Sequence, residues 1–250
     1  MSRKHQPKGF EILYEDKDVI VGNKAAGALA VAALWNKNDT IHAALNTYVR
    51  KGNAISRKCV FVVHRLDQAT SGVMVFAKTE QAQVFLKDNW NTTKKIYYAI
   101  VHGRLARKSG TVSSRLIEGE DYVVRSASDG AKGKLAHTAY AVIKETGNFS
   151  LLKIDLLTGR KNQVRVHLAD LGHPVVGDDK YGKGDLLLPP GSLCQKGAYR
   201  RHKRLALHAR SIAFTHPFSG KRLSFTAEIP EYFTGLIGPW TPPASGRDRD

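Results

Sequence analysis

The stretch from Phe61 to Lys78 constrains the fold of this chain more than any other. Two apolar runs, Val60-Phe61-Val62-Val63 and Val73-Met74-Val75-Phe76-Ala77, frame the polar segment His64-Arg65-Leu66-Asp67-Gln68-Ala69-Thr70-Ser71-Gly72. Both runs are short and rich in β-branched and aromatic residues, so they read as buried strands rather than helices. A charged loop framed by core strands stands on a rigid scaffold, where catalytic groups are disproportionately found. Its single carboxylate is Asp67. Taken alone, the segment reads first as an ordinary turn in which Asp67 and Ser71 bond nearby backbone amides.

Elements of both periods surround it. Phe10 to Gly22 reads as a hairpin turning at Glu15-Asp16-Lys17-Asp18. Asp39-Thr40 caps a helix that carries Ile41, Ala44, Leu45, Tyr48 and Val49 on one face and stops at Lys51-Gly52-Asn53. Thr79 caps a second helix, Glu80 to Trp90. In the strand Lys95 to Val101, Tyr97 and Tyr98 point to opposite faces, leaving one for the core and the other for a site. Gly103 to Gly133 reads as a loop-rich surface excursion with short strands at Thr111 to Leu116 and Tyr122 to Arg125.

Two strands follow between Thr138 and Leu157, the second alternating Leu152, Ile154 and Leu156 with Lys153 and Asp155. A short helix with Asn162 as its cap and Val164, Leu168 and Leu171 on its apolar face closes at Gly172. Arg165 points off that face, free to meet a ligand or a carboxylate. A last hairpin joins Leu205 to Phe214 with Leu223 to Ala227. No repeat and no interdomain linker interrupts the pattern. The expected organisation is one domain over residues 10–238 with flexible tails at 1–9 and 239–250.

Charge narrows the function. Thirty-nine Lys and Arg against 22 Asp and Glu leave a net charge of +17, which suits a polyanion, with nucleic acid ahead of an anionic membrane. The chain shows no amphipathic basic helix with a bulky apolar face, no apolar run of spanning length and no apolar signal core, so a cytoplasmic address without membrane contact is expected. The basic run Arg200-Arg201-His202-Lys203-Arg204 is more often a solvated face than a specific reader. Cys59 and Cys194 form no Cys-x-x-Cys, and the ten histidines form no His-Glu-x-x-His, so no metal is expected. Gly-x-Ser-x-Gly and Gly-x-Gly-x-x-Gly are missing, and Gly130-Ala131-Lys132-Gly133-Lys134 lacks phosphate-loop spacing.

What remains is a loop carboxylate, a strand tyrosine and a helix arginine on a basic chain. His64 to Gly72, followed by Ala77-Lys78, resembles the signature of the RluA-type pseudouridine synthases. Tyr14 to Gly27, Leu157 to Gly182 and Ala206 to Phe225 agree with that family in order and spacing. Thr158-Gly159-Arg160-Lys161-Asn162-Gln163-Val164-Arg165-Val166-His167-Leu168, continuing through Gly177-Asp178 to Tyr181-Gly182, is especially specific.

The resemblance covers about residues 12 to 228. It implies an α+β fold in which a single catalytic domain is built on a large, mainly antiparallel mixed β-sheet flanked by helices and loops. It implies isomerisation of uridine in ribosomal or transfer RNA without a cofactor, Asp67 as catalytic carboxylate, Arg165 as its partner and Tyr97 as the active-site tyrosine. Arg65, Val164 and Gln163 are the implied substrate contacts, Arg65 filling the space left by a flipped nucleotide. Family members often carry an N-terminal RNA-binding domain, which is not expected here because only Met1 to Gly9 precede the first strand. A monomer without an obligate protein partner is the expectation.

Two departures stand out: Ala25 where the family usually has proline, and Asn162 where it has histidine. Two rival readings are an RNA-binding protein without chemistry and a nucleoside or glycosyl hydrolase. The hydrolase is expected to need a second carboxylate.

Overall fold

The computed structural model describes residues 6–33, 38–53, 55–127, 132–182 and 204–241. The expected hairpin is β1 (Phe10–Glu15) and β2 (Val19–Lys24), paired antiparallel. Asp16 closes it: Oδ1 accepts the amides of Asp18 and Val19 at 2.8 Å each, and Oδ2 bonds Tyr14 Oη at 2.7 Å and His216 Nε2 at 2.8 Å. Helix α1 (Ile41–Arg50) starts at Thr40, whose hydroxyl accepts the Ala43 amide, and stops where Lys51 turns left-handed at φ 50°. It buries Ile41, Leu45 and Val49.

The central stretch forms β3 (Phe61–Val62) and β4 (Ser71–Ala77), with the polar segment looping between them. Helix α2 (Glu80–Asp88) is capped by Thr79 as expected, and ends two residues early because Trp90–Thr92 tightens into a 3-10 turn. Next comes β5 (Lys94–His102).

Within residues 103–133 both expected strands form, the first longer than expected: β6 (Ser109–Glu118) pairs along β8 (Lys134–Glu145) over eight residue pairs, and β7 (Val124–Ser126) follows it. Val112, Ser114 and Leu116 face inward and alternate with exposed neighbours, whereas the exposed ends of β6 carry no such pattern. After β9 (Phe149–Leu156) comes α3 (Gln163–Asp170), then β10 (Leu207–Thr215), β11 (Arg222–Thr226) and a short helix not anticipated from the sequence, α4 (Tyr232–Ile237).

The fold is α+β, as expected: all eleven strands of the described residues join one mixed sheet in the order β1-β2-β4-β10-β5-β9-β8-β6-β7, with β3 added to β4 and β11 to β10. Every pairing is antiparallel except β4 with β10, which touch in parallel over only His208↔Ser71 and Ala209↔Gly72. Beyond that point β3 takes the edge of β4 and β11 the edge of β10, so the sheet forks. The polar loop leaves β3 on one branch and re-enters the sheet where the branches meet.

β4 is buried on both faces. Met74 and Phe76 pack into the main core with α1 and α4, while Val73, Val75 and Ala77 pack with α2 in a second core. Full burial contributes about 1.5–3 kcal/mol for a side chain the size of Phe76 or Met74. Leu171, expected on the apolar face of α3, is exposed, whereas Val166 and His167 are buried. Trp240, expected in a frayed tail, packs edge-on against Tyr98 with ring centroids 5.0 Å apart. The tails at 1–5 and 242–250, Cys194, Gly130-Ala131 and the basic run at 200–203 lie outside the described residues.

Gly72 sits at the junction with φ +118°, and a Cβ there would meet the backbone of Ala209. The substitution Gly72→Ala is therefore expected to cost roughly 3 kcal/mol or more, through backbone strain and loss of the two-residue junction. Thermal denaturation checks this, and a melting curve like that of the wild type would contradict it.

Candidate active site

The β3–β4 loop brings Asp67 to a cavity of about 280 Å³. A turn closed by the Thr70 amide on the Asp67 carbonyl, at 3.1 Å, sets the loop tip. The Asp67 carboxylate bonds no nearby amide, as an ordinary turn would have it, and Ser71 bonds His208 Nδ1 at 2.9 Å. His64 belongs to the scaffold: its Nε2 accepts the Val75 amide at 3.0 Å and its ring lies 4.5 Å from that of Trp90. Burial, and then the charge of Lys95, push its pKa down to about 3, so it stays a neutral acceptor.

Lys24 braces the loop from behind. Fully buried, it donates to the carbonyls of Ala25 at 2.9 Å, Ala28 at 2.7 Å and Gln68 at 2.9 Å. Burial pushes its pKa down to about 7, against the opposing pull of Asp67. Three carbonyls occupy all three donors of an ammonium, one more than a neutral amine offers. The Gln68 carbonyl also takes the Gly27 amide at 2.9 Å, and Gln68 Nε2 donates to the Gly27 carbonyl at 3.0 Å. Sequence reasoning missed the role of Lys24, since all its partners are backbone carbonyls and the one that ties it to the Asp67 loop lies 44 residues away.

Helix α3 supplies the opposite wall. Arg165 donates through Nε and Nη2 to both oxygens of Asp178 at 2.7 Å each, and through Nη1 to Asp67 Oδ2 at 3.5 Å. Burial acts to lower the Arg165 pKa, but the bonds and charge of Asp178, and then the charge of Asp67, raise it overall. The guanidinium lies 5.0 Å from the Tyr181 ring centroid. Asp178, whose side chain is fully buried, also accepts the amides of Lys180 and Tyr181 at 3.0 Å each. The expected Arg165–Asp67 pair is thus the looser of two, and Asp178 is a partner that no local pattern revealed.

Asn162 does not cap α3. With φ 53° it turns its side chain into the cavity, where Nδ2 donates to Asp67 Oδ2 at 2.6 Å.

Tyr97, in the middle of the sheet between Ala209 and Ile154, lines the floor, while Tyr98 takes the core. Burial, and then the Asp67 charge, raise the Tyr97 pKa well above the ordinary phenol value, so it stands as a neutral hydroxyl. Val164 and Gln163 line the wall. The Gln163 amide is spent within the protein, on Thr158, Arg160, His137 and Thr138. Arg65 is exposed at the rim. Among the described residues lining the cavity, Asp67 is the only carboxylate, facing five cationic side chains: Arg65, Lys95, Arg160, Lys161 and Arg165. That balance favours an anionic ligand.

Asp16, Asp18 and His216 bring metal-ligand atom types together away from the cavity. There His216 Nδ1 accepts the amides of Phe218 and Ser219, so Nε2 carries the proton donated to Asp16. This is turn closure.

Residues 18–170 match the family described as RNA pseudouridylate synthase. The chain is 37% identical over 228 residues to the ribosomal large subunit pseudouridine synthase D of Zymomonas mobilis subsp. mobilis, spanning 89% of this chain and 70% of that one. It is 36% identical over 231 residues to an uncharacterized RNA pseudouridine synthase of Chlorobaculum parvum, spanning 88% of this chain and 71% of that one. Among solved structures, human RNA pseudouridylate synthase domain containing 4 superposes with a TM-score of 0.73 over 90% of each chain, at 26% identity.

Lys24→Met is expected to lower stability by roughly 3 kcal/mol, because three carbonyls lose their donor in a dry site. Unchanged chemical denaturation would show that the brace is dispensable. A second outcome concerns His208, 1% exposed, whose pKa burial pushes down to about 4. The unfolded chain takes up a proton near pH 6.5 while the folded chain resists until about 4, so stability present above 6.5 is lost as pH falls through this window. The expected slope from this residue is about 1.4 kcal/mol per pH unit. Denaturation midpoints of wild type and His208→Gln between these pH values check it, the variant giving the flatter curve.

Proposed function

The chain belongs to the RNA pseudouridylate synthase family and is an RNA pseudouridine synthase, an isomerase; from this premise we propose that it acts on uridines of ribosomal or transfer RNA, with Asp67 as the catalytic carboxylate. The observation that carries the assignment is the convergence on Asp67. Among the described residues it is the sole acid lining the cavity, 21% exposed at its side chain, with two donors from α3 and its N-terminus on one oxygen. Relatives named ribosomal large subunit pseudouridine synthase D favour ribosomal RNA as the first substrate to test.

The reaction breaks the bond between uracil N1 and the sugar, turns the base and rejoins it through C5. The C5 hydrogen leaves to water as N1 gains a proton, and no electron is gained or lost. Departure of uracil demands stabilisation of developing charge, and the sugar side demands a carboxylate as nucleophile or base. Arg165, held rigidly by Asp178, keeps a positive charge beside Asp67 and orients it. Tyr97 offers a ring face for the uracil and a neutral hydroxyl for proton transfer at C5. Val164 and Gln163 shape the wall of the base pocket. Extruding a stacked nucleotide costs a few kcal/mol, and Arg65 at the rim is placed to fill the vacated space. The cationic rim tracks the RNA backbone.

Tritium release from RNA labelled at uridine C5 tests this reading, with total ribosomal and transfer RNA as separate pools. Wild type is expected to release tritium from one pool and Asp67→Asn from neither, while the variant keeps RNA affinity within a few-fold because surface charge supplies most of the binding. Equal loss of binding and turnover would count against the catalytic role. Arg165→Ala is expected to reduce turnover at least 100-fold and, by leaving buried Asp178 unpaired, to lower the melting temperature while a cooperative transition is kept. A collapsed thermal transition would mark Arg165 as structural instead.

A further inference from the structure

Asn162 occupies the left-handed region, with φ 53° and ψ 15°, at the N-terminus of α3. Asparagine bears that conformation better than other residues with a Cβ, though at a cost relative to glycine. The usual return for Asn at this place is a bond to the helix's own amides, and Asn162 makes none. Its amide is spent between two other groups. Nδ2 donates to Asp67 Oδ2 at 2.6 Å, and Oδ1 lies 3.2 Å from the Tyr181 hydroxyl.

The hydroxyl settles which way the amide faces. Tyr181 Oη accepts the Val124 amide of β7 at 3.2 Å, so its own proton is left to point at Asn162 Oδ1. A flipped amide would set NH2 against that proton and oxygen against the Asp67 carboxylate, two repulsions in place of two bonds. The Tyr181 ring is in turn held against the Arg165 guanidinium. Val124, Tyr181, Asn162 and Asp67 therefore form one directed chain from the sheet edge to the carboxylate.

Both donors on Asp67, Asn162 Nδ2 and Arg165 Nη1, meet the same oxygen, Oδ2. Among the described residues no donor meets Oδ1. Resting on the proposed function, we infer that Asn162 is a positioning residue which, oriented by Tyr181, locks Asp67 Oδ2 into the protein and presents Oδ1 to the uridine as the reacting oxygen. The charge-assisted bond holds the carboxylate against rotation, and a misplacement on the scale of an ångström at a reacting atom costs up to 100-fold in rate.

Three variants separate this role from a backbone role. Asn162→Gly takes the left-handed conformation without strain and removes only the amide. Asn162→Asp keeps shape and backbone tolerance but turns an oxygen toward Asp67. Tyr181→Phe removes the hydroxyl that orients the amide. In the tritium assay, Asn162→Gly is expected to lose roughly 10- to 100-fold in kcat with KM within a few-fold and an unchanged melting temperature. Asn162→Asp should fall at least as far at neutral pH, and Tyr181→Phe less. Wild-type kcat in Asn162→Gly, or in the isosteric Asn162→Asp, overturns the inference.

A readout without substrate accompanies this. The Asn162 side-chain amide resonance in proton–nitrogen spectra, identified by its loss in Asn162→Gly, is expected to move upfield in Asp67→Ala. An unmoved resonance also overturns the inference. Wild-type protein that releases no tritium from any RNA removes the proposed function, whereas active wild type with an unimpaired Asn162→Gly removes only the positioning role.

Discussion

The paired charge of Arg165 and Asp178 is the contact on which the site depends. A guanidinium with 11% of its side chain exposed, set against a carboxylate with none, is retained only with its hydrogen bonds made. The fork geometry supplies two at 2.7 Å, and the amides of Lys180 and Tyr181 occupy the same carboxylate. A buried pair of this kind adds little net stability against an apolar replacement, but losing one partner costs about 3–5 kcal/mol. Its effect here is geometric. It fixes one face of α3, so that the third guanidinium nitrogen and Asn162 reach Asp67 from fixed directions.

The sheet provides the complementary constraint. β4 and β10 meet over two residue pairs, and the sheet forks beyond them. Gly72 permits that approach because a Cβ would strike Ala209. The Asp67 loop enters at this junction, its tip tied by Lys24 and Gly27 to the β2 end of the sheet and its carboxylate facing α3 at the other. Tyr97, on the central strand between, forms the floor. The site therefore has walls from both halves of one sheet.

The electrostatics divide the same way. Long-range attraction for a polyanion comes from the excess of cations over the whole chain, while the field at the Asp67 carboxylate comes from a few desolvated groups. Burial keeps His64 neutral and Tyr97 protonated, leaving Asp67 and Arg165 as the closely opposed charges of the cavity.

Much of this was legible in the chain itself. Strand runs around Asp67, the caps Thr40 and Thr79, the alternation in β9 and the motif through Arg165 rest on local periodicity and spacing, which primary structure carries directly. The class of fold, and the proposal of Asp67, Tyr97 and Arg165 as site residues, came from the family resemblance that the motif carries. The core of β6, Thr111 to Leu116, was legible, but its full length was not, because its end residues are exposed and its pairing with β8 is non-local. Asn162 reads as a helix cap by position, yet the left-handed backbone and the nearness of Asp67, 95 residues away, redirect its amide. Lys24 and Asp178 look like any surface charge until folding removes their water and leaves them with carbonyls and a guanidinium as partners. The sequence by itself determined the elements and the chemical groups, since these depend on neighbours a few residues apart. Only the tertiary structure decided which groups meet, because burial and long-range contact set the partners of a charge.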